Sequence, residues 1–272
     1  MTGDRLEALV AGLLDDWGLA VDGPTIHGRA GVVVPVLAEG RRPCVLKVVA
    51  QGGVAEEALA LKLWHGAGAV RLVSADPHRS ALLLERLEPT DLGTTWDLDA
   101  CGVVADLYRR LHVPAPVQLT RLSTRTAGWS TALAAATGLP VPPRLVQEAA
   151  SLARDLATDE ATDGVVVHTD LHYGNVLRTP EDGWCAIAPK PLSGDPHSEL
   201  APMLWHRLDD YAGRVRDGVR DRFFALVDGA ELDEDRARAW TVVRLMVAVL
   251  EQPGADRSWT TAMLSVAKAV RD

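Results

Sequence analysis

The hydrophobic spacing of this chain changes once, near Leu87, and that change limits the folds open to it. Before Leu87, apolar residues come in short blocks separated by turn residues. Val32-Val33-Val34-Pro35-Val36-Leu37 reads as a strand, Glu39-Gly40-Arg41-Arg42 as a turn, and Cys44-Val45-Leu46-Lys47-Val48-Val49 as the returning strand of a hairpin. A second hairpin follows, from residues 70–73 and 80–85 around Asp76-Pro77-His78. Two stretches in this half show helical spacing. Residues 4–17 align Leu6, Leu9, Val10, Leu13, Leu14 and Trp17, and residues 54–65 carry Leu59, Leu63 and Trp64. Beyond Leu87 the helical period dominates, over 96–112, 121–136, 143–157, 197–208, 211–228, 233–251 and 257–270. Only a β-rich island at 165–188 breaks it. A sheet-building half followed by a helix-building half is an α+β pattern. It predicts a small antiparallel-sheet lobe with one packed helix over residues 1–86, a hinge over 87–95 and a larger, mainly helical lobe over 96–272.

A chain of 272 residues is long enough for two such lobes with a real core. Its charge excludes some partners. The formal net charge is −9 and no basic run occurs, so no nucleic-acid partner is expected. No apolar run reaches the roughly 18 to 20 residues of a membrane span. The longest apolar helical segment, Trp240 to Leu250, is interrupted by Arg244. With acidic Asp4 and Glu7 at the N-terminus and no basic-then-apolar leader, a cytoplasmic location is expected. Cys44, Cys101 and Cys185 are odd in number and form no CxxC pair, which fits buried thiols in a reducing compartment.

The chemistry concentrates in one loop. Val165-Val166-Val167 delivers His168-Thr169-Asp170-Leu171-His172-Tyr173-Gly174-Asn175, and Val176-Leu177 resumes a strand. Phosphoryl transfer needs a carboxylate beside the attacking hydroxyl and an oxygen ligand for magnesium close by. A short loop between two strands can hold both. Asp170 suits the first role and Asn175, the only asparagine in the chain, the second.

This loop resembles the HGDLHxxN loop of aminoglycoside phosphotransferase-like kinases. The segment Trp184 to Trp205, WCAIAPKPLSGDPHSELAPMLW, is similar to the IDPKPLxGDP run of the streptomycin 6-phosphotransferase and hydroxyurea phosphotransferase branch. The pieces VVVPVL, VLKV, AVRLV and LLLERL fit the same branch, so the resemblance covers most of the chain. It implies a bilobal protein-kinase-like fold, with ATP and Mg²⁺ as cofactors and a small-molecule acceptor.

The resemblance also implies roles for particular residues. Lys47 matches the strand lysine that grips the α- and β-phosphates. Glu57 matches the helix glutamate that positions it, with Glu56 as the competitor. Gly28 and Gly31 fall where a phosphate-covering loop belongs, although an ordinary turn fits two glycines as well. Glu85 and Leu87 fall where hinge backbone would bond adenine. His168 resembles a structural loop histidine, and Asp195, in Ser-Gly-Asp-Pro, the aspartate that braces the catalytic loop. Glu199, Trp205, His206 and Trp129 are candidate walls of an acceptor site, where acidic and aromatic groups would suit a cationic compound.

One position departs from the motif. Where IDPKPL has the aspartate that ligates magnesium, this chain has Ala188, which supplies neither oxygen nor charge. The expectation is therefore an ATP-dependent phosphotransferase acting on a hydroxyl of an aminoglycoside such as streptomycin, or of a hydroxyurea-like compound, in antibiotic or drug resistance. Ala188 is expected to impair its chemistry. The alternative is a kinase-fold protein that binds nucleotide or ligand without turnover.

Overall fold

The computed structural model describes residues 3–28, 31–50, 52–252 and 254–271. They fall into two compact units, Met1–Thr90 with Leu177–Lys190, and Asp91–Val176 with Pro191–Asp272.

The first unit begins with α1 (Gly3–Asp16) and two short strands, β1 (Ala20–Val21) and β2 (Ile26–His27). The long hairpin β3 (Gly31–Ala38) and β4 (Arg42–Val49) follows, then α2 (Val54–Trp64), β5 (Leu72–Asp76) and β6 (Ala81–Glu85). All pairings are antiparallel. The order is β1-β3-β4-β6-β5, with β2 also on β3. Successive strand side chains point to opposite faces. Val32, Val34 and Val36 of β3 therefore share one buried face with Cys44, Leu46 and Val48 of β4 and with Ala81 and Leu83 of β6. The apolar stripe of α1, with Leu13 fully buried, covers that face. The same alternation turns Lys47 to the other face. Gly31 opens β3 against β4 so closely that a Cβ there would lie 2.0 Å from the Val48 carbonyl oxygen. Only glycine permits that approach.

The second unit opens with three helices, α3 (Asp97–Leu111), α4 (Leu122–Ala135) and α5 (Pro143–Thr158). The first has Asp97 and Asp99 in its first turn and Arg109 and Arg110 in its last, matching the helix dipole at both ends. Strand β7 (Val165–Val167) then leads into the loop ending at Asn175. The chain next returns to the first unit with β8 (Val176–Arg178) and β9 (Trp184–Ala186), which pair with each other. Main-chain bonds tie this ribbon in. Val70 N–H donates to the Ala186 carbonyl at 2.9 Å, Ala186 N–H to Gly68 at 2.8 Å, and Glu88 N–H to Arg178 at 3.0 Å. Strand β10 (Leu192–Gly194) re-enters the second unit and pairs antiparallel with β7, Leu192 opposite Val167. Helices α6 (Ala201–Trp205), α7 (Val215–Gly229), α8 (Glu234–Glu251) and α9 (Arg257–Arg271) complete it.

Two stretches differ from the sequence expectation. The helix expected over 197–208 is broken up. Pro196–Glu199 is a 3₁₀ turn capped by the Asp195 side chain, α6 spans five residues, and Arg207, at φ 54°, turns the chain into a second 3₁₀ turn, Leu208–Tyr211. The Asp195 cap starts the first of these turns, and the His206 ring bonds the Pro202 carbonyl where α6 ends. The helix expected from residue 211 accordingly starts at Val215. The strands at β1, β2 and β10 are two or three residues long, too short for alternation to reveal. Among the described residues no helix is long and apolar enough to cross a membrane.

Candidate active site

In the first unit the lysine expected to grip phosphate is tied to a helix carboxylate. Lys47 Nζ lies 2.7 Å and 2.8 Å from the two carboxylate oxygens of Glu57. Glu57 faces inward on α2 with Val54, Ala58 and Leu61, whereas neighbouring Glu56 is partly exposed, so Glu57 is the partner. Burial pushes the Glu57 carboxyl above its usual range, opposed by the charge and hydrogen bond of Lys47. The lysine side chain keeps 18 % of its surface open against 6 % for Glu57.

Gly28 N–H bonds the Gly31 carbonyl at 2.8 Å across Arg29-Ala30, which lie outside the described residues. Glu85 is engaged twice with Arg71. Its carboxylate accepts from Arg71 N–H at 2.6 Å, and its own N–H donates to the Arg71 carbonyl at 3.0 Å. That N–H is therefore already used within the unit. Arg86 fixes the adjoining strands through the carbonyls of Val36 and Cys44, and Leu87 is half-buried.

Ala188 sits two residues beyond the anchored Ala186, with φ 54°. Asp and Asn enter this left-handed region several-fold more often than other non-glycine residues. Alanine is disfavoured there by about 1–2 kcal/mol. The backbone at 188 therefore suits an aspartate better than the alanine it carries.

In the second unit, β7 ends at Val167 and His168 is fully buried. Thr169 is also left-handed, at φ 65°, and buried. Its N–H donates to Glu199 Oε1 at 2.5 Å, and its carbonyl accepts from Arg244 at 2.8 Å. Asp170 is half-buried, and its N–H reaches His168 Nδ1 at 3.3 Å. Asn175 closes the loop. Its side-chain amide donates to the Asp170 carbonyl at 2.8 Å, which leaves Oδ1 as an acceptor. His172 shapes the turn between them, accepting from Gly174 N–H at 3.2 Å on Nδ1 and from Asn175 N–H at 2.8 Å on its carbonyl. The hydroxyls of Tyr173 and Tyr211 both donate to the buried carboxylate of Asp97, 2.9 Å from Arg222 Nε. Arg207 lies 4.9 Å over the Tyr173 ring.

The expected acceptor wall is rearranged. Glu199 has no exposed surface, so it offers none to a solute. Its second oxygen is 2.8 Å from His112 Nε2, and its carbonyl accepts from Tyr108 at 2.9 Å. His206 stacks on His172, centroids 4.2 Å apart, and its Nδ1 bonds the Pro202 carbonyl at 2.6 Å. Trp205 lies beside His206, and Trp129 faces the Arg244 guanidinium at 5.8 Å; both are partly buried. Asp195 joins the turn after β10 to α8, accepting from His197 N–H at 3.0 Å, Arg236 Nε at 2.6 Å and Trp240 Nε1 at 2.5 Å. Burial raises its pKa, but hydrogen bonds and charge from His197, with the charge of Arg236, outweigh that and hold it below the usual range.

Sequence reasoning missed His112, Arg244, Asp97 and Arg222. Each lies in a helix or at its end, far along the chain from the loop it supports, and no local spacing singles it out. As for magnesium, Asn175 Oδ1 is a suitable hard ligand, while Ala188 supplies none. Among the described residues no three His, Cys, Asp or Glu side chains converge as a metal cluster. The donor set implied by the motif is one carboxylate short.

Comparison with known proteins gives the family and the fold. Residues 16–251 match the family described as aminoglycoside/hydroxyurea antibiotic resistance kinase. Streptomycin 6-kinase of Streptomyces glaucescens is 37 % identical over 276 residues, covering 98 % of this chain and 89 % of that protein. Hydroxyurea phosphotransferase of Kitasatospora aureofaciens is 37 % identical, covering 89 % and 72 %. The crystal structure of a thermostable aminoglycoside phosphotransferase mutant, in ternary complex with ADP and hygromycin B, superposes with a TM-score of 0.67 at 15 % identity, covering 96 % of this chain and 97 % of that one. The fold is that of the protein-kinase-like small-molecule kinases.

Proposed function

The chain belongs to the aminoglycoside/hydroxyurea antibiotic resistance kinase family, and from that premise we propose that it transfers the γ-phosphoryl group of ATP to a hydroxyl of an aminoglycoside such as streptomycin, or of a hydroxyurea-like compound. By family it is a small-molecule O-phosphotransferase. The observation that carries the proposal is the closed loop in which the Asn175 amide holds the Asp170 carbonyl at 2.8 Å.

In this mechanism Asp170 accepts the proton of the acceptor hydroxyl as its oxygen attacks the γ-phosphorus. The bond to the β–γ bridging oxygen breaks, and ADP leaves. Lys47, oriented by Glu57, offsets the charge of the α- and β-phosphates. Magnesium, when bound with the nucleotide, neutralises charge on the transferring group, and Asn175 Oδ1 is the ligand this chain offers it. Trp129, Trp205 and His206 form the proposed acceptor wall, whose aromatic faces suit a guanidinium- or amine-bearing sugar. Ala188 slows the transfer and favours a second reading, a protein that binds nucleotide or ligand without turnover.

The test is incubation with Mg-ATP and a panel of streptomycin, other aminoglycosides and hydroxyurea, with mass detection of a phosphorylated product. Absence of product for every acceptor, both with Ala188 and with aspartate restored there, refutes the transferase reading. A thermal shift with Mg-ATP tests both readings. A ligand at 100 times its Kd stabilises the folded state by about 2.7 kcal/mol, and no shift at millimolar nucleotide refutes the transferase reading and the nucleotide-binding form of the second.

A further inference from the structure

Resting on that function, we propose that Arg244 and Glu199 are positioning residues: they clamp the Thr169 peptide groups in a left-handed turn and so aim Asp170 at the acceptor. Threonine is β-branched, and at φ 65° it occupies backbone space that such residues rarely adopt. Something outside the residue must hold it there, and two charged groups meet it from either side. The Glu199 carboxylate takes the Thr169 N–H at 2.5 Å, and the Arg244 guanidinium takes the Thr169 carbonyl at 2.8 Å.

Peptide planarity makes this arrangement specific. The Thr169 N–H lies in the plane shared with the His168 carbonyl, and the Thr169 carbonyl lies in the plane shared with the Asp170 N–H. Fixing one group in each plane fixes the φ and ψ between them. The second plane leads directly into Asp170, so Arg244 sets the direction from which the catalytic side chain leaves the backbone.

Both arms of the clamp rest on helices. The Glu199 carboxylate is held at 2.8 Å by His112, which caps the C-terminus of α3, and its main-chain carbonyl at 2.9 Å by Tyr108 of α3. Arg244 projects from α8, with the Trp129 ring of α4 at 5.8 Å. Burial opposes the charge of Arg244, while the carboxylates of Glu199, Asp170 and Glu251 favour it. The guanidinium is therefore coupled electrostatically to the residue it positions.

A double-variant cycle tests the clamp. Glycine enters the left-handed region without steric cost, so Thr169→Gly makes the clamp less necessary. Arg244→Met, Thr169→Gly and the pair are compared, both in the chain as it is and with Ala188→Asp. Arg244→Met is expected to lower kcat by on the order of 100-fold, the scale of a small misplacement of a catalytic group, with little change in nucleotide KM. The double variant is expected to recover at least about tenfold of that loss, and Arg244→Lys to fall in between. A double variant no faster than Arg244→Met, or a nucleotide KM that worsens in step with kcat, overturns the proposal. If no version transfers phosphate, the transferase reading fails, yet thermal unfolding of the same proteins still decides the clamp. Thr169→Gly must shift the midpoint more favourably with Arg244 than without it, because a turn released from the clamp relaxes and leaves less strain for glycine to relieve, and equal shifts refute it.

Discussion

Replacing Ala188 by aspartate changes two quantities that can be measured separately. The first is strain. At φ 54° alanine is disfavoured by about 1–2 kcal/mol, aspartate by less and glycine by least. Ala188→Gly gives back about 0.4–1 kcal/mol through the entropy of its unfolded chain, so its net gain is near 1 kcal/mol, or roughly 2–4 °C in Tm for a chain of this size. Ala188→Asp gains a fraction of that. The second quantity is charge at the transferring phosphoryl group. A preorganised group lost from such a site typically lowers the rate by about 10²- to 10³-fold, equivalent to roughly 3–4 kcal/mol, and restoring it recovers a similar factor. The two orders therefore differ: stability runs Gly above Asp above Ala, while rate runs Asp far above Gly and Ala, with Asn between. The assay is steady-state transfer to streptomycin and to hydroxyurea, with mass detection of product, alongside thermal unfolding of the same four proteins. If Ala188→Gly accelerates transfer as much as Ala188→Asp, the limitation lies in the backbone and the reasoning about the missing carboxylate is wrong. If Ala188→Asp brings no acceleration, position 188 does not serve the reaction.

Other consequences are equally direct. Glu57→Gln is expected to abolish most of the thermal stabilisation by Mg-ATP and to destabilise the fold by about 3 kcal/mol, the low end for breaking a buried pair because Lys47 keeps some exposure, whereas Glu56→Gln leaves both unchanged. Asp195 has a folded pKa below the ordinary aspartate value of 3.8, so its contribution is fully present above about pH 4 and is lost as pH falls through the folded value. Acid titration of stability should show that loss, and Asp195→Asn should remove it; an unchanged slope refutes the assignment. Tyr173→Phe deprives the buried Asp97 carboxylate of a donor and is expected to cost about 1–3 kcal/mol in chemical denaturation, more than Tyr211→Phe, whose ring is partly exposed.

What the sequence disclosed follows the range of the forces involved. The β3–β4 and β5–β6 hairpins are local, so their alternation and turn residues sit side by side in the chain. Lys47 is conspicuous because a charge interrupts an apolar strand. The choice of Glu57 over Glu56 depends on a rotation of about 100° on one helix turn, which only packing decides. The return of residues 177–190 to the first unit rests on main-chain bonds at Ala186, Gly68 and Val70, and these leave no side-chain pattern. The sequence makes Glu199 a candidate acceptor wall because the partners that bury it, His112 and Tyr108, lie some ninety residues earlier in the chain.

The backbone adds evidence that residue types do not carry. Eight non-glycine residues among those described have positive φ. His65 and Ser80 close helical turns, Arg207 opens one, Glu231 follows α7, and Arg41 and Asp182 sit in hairpin connections, where such a conformation is ordinary. Thr169 and Ala188 end no helix and close no hairpin, and strained residues of that kind persist only where the surroundings over-determine them. At Thr169 the surroundings are visible as a carboxylate and a guanidinium on its two peptide groups. At Ala188 the adjoining Ala186 is bonded on both sides, to Gly68 and Val70, and the turn persists without the side chain best suited to it. Motif comparison marks position 188 through a missing carboxylate, and conformational preference marks it independently. The two lines converge on position 188, and placing aspartate there is expected to raise the transfer rate without refolding the loop.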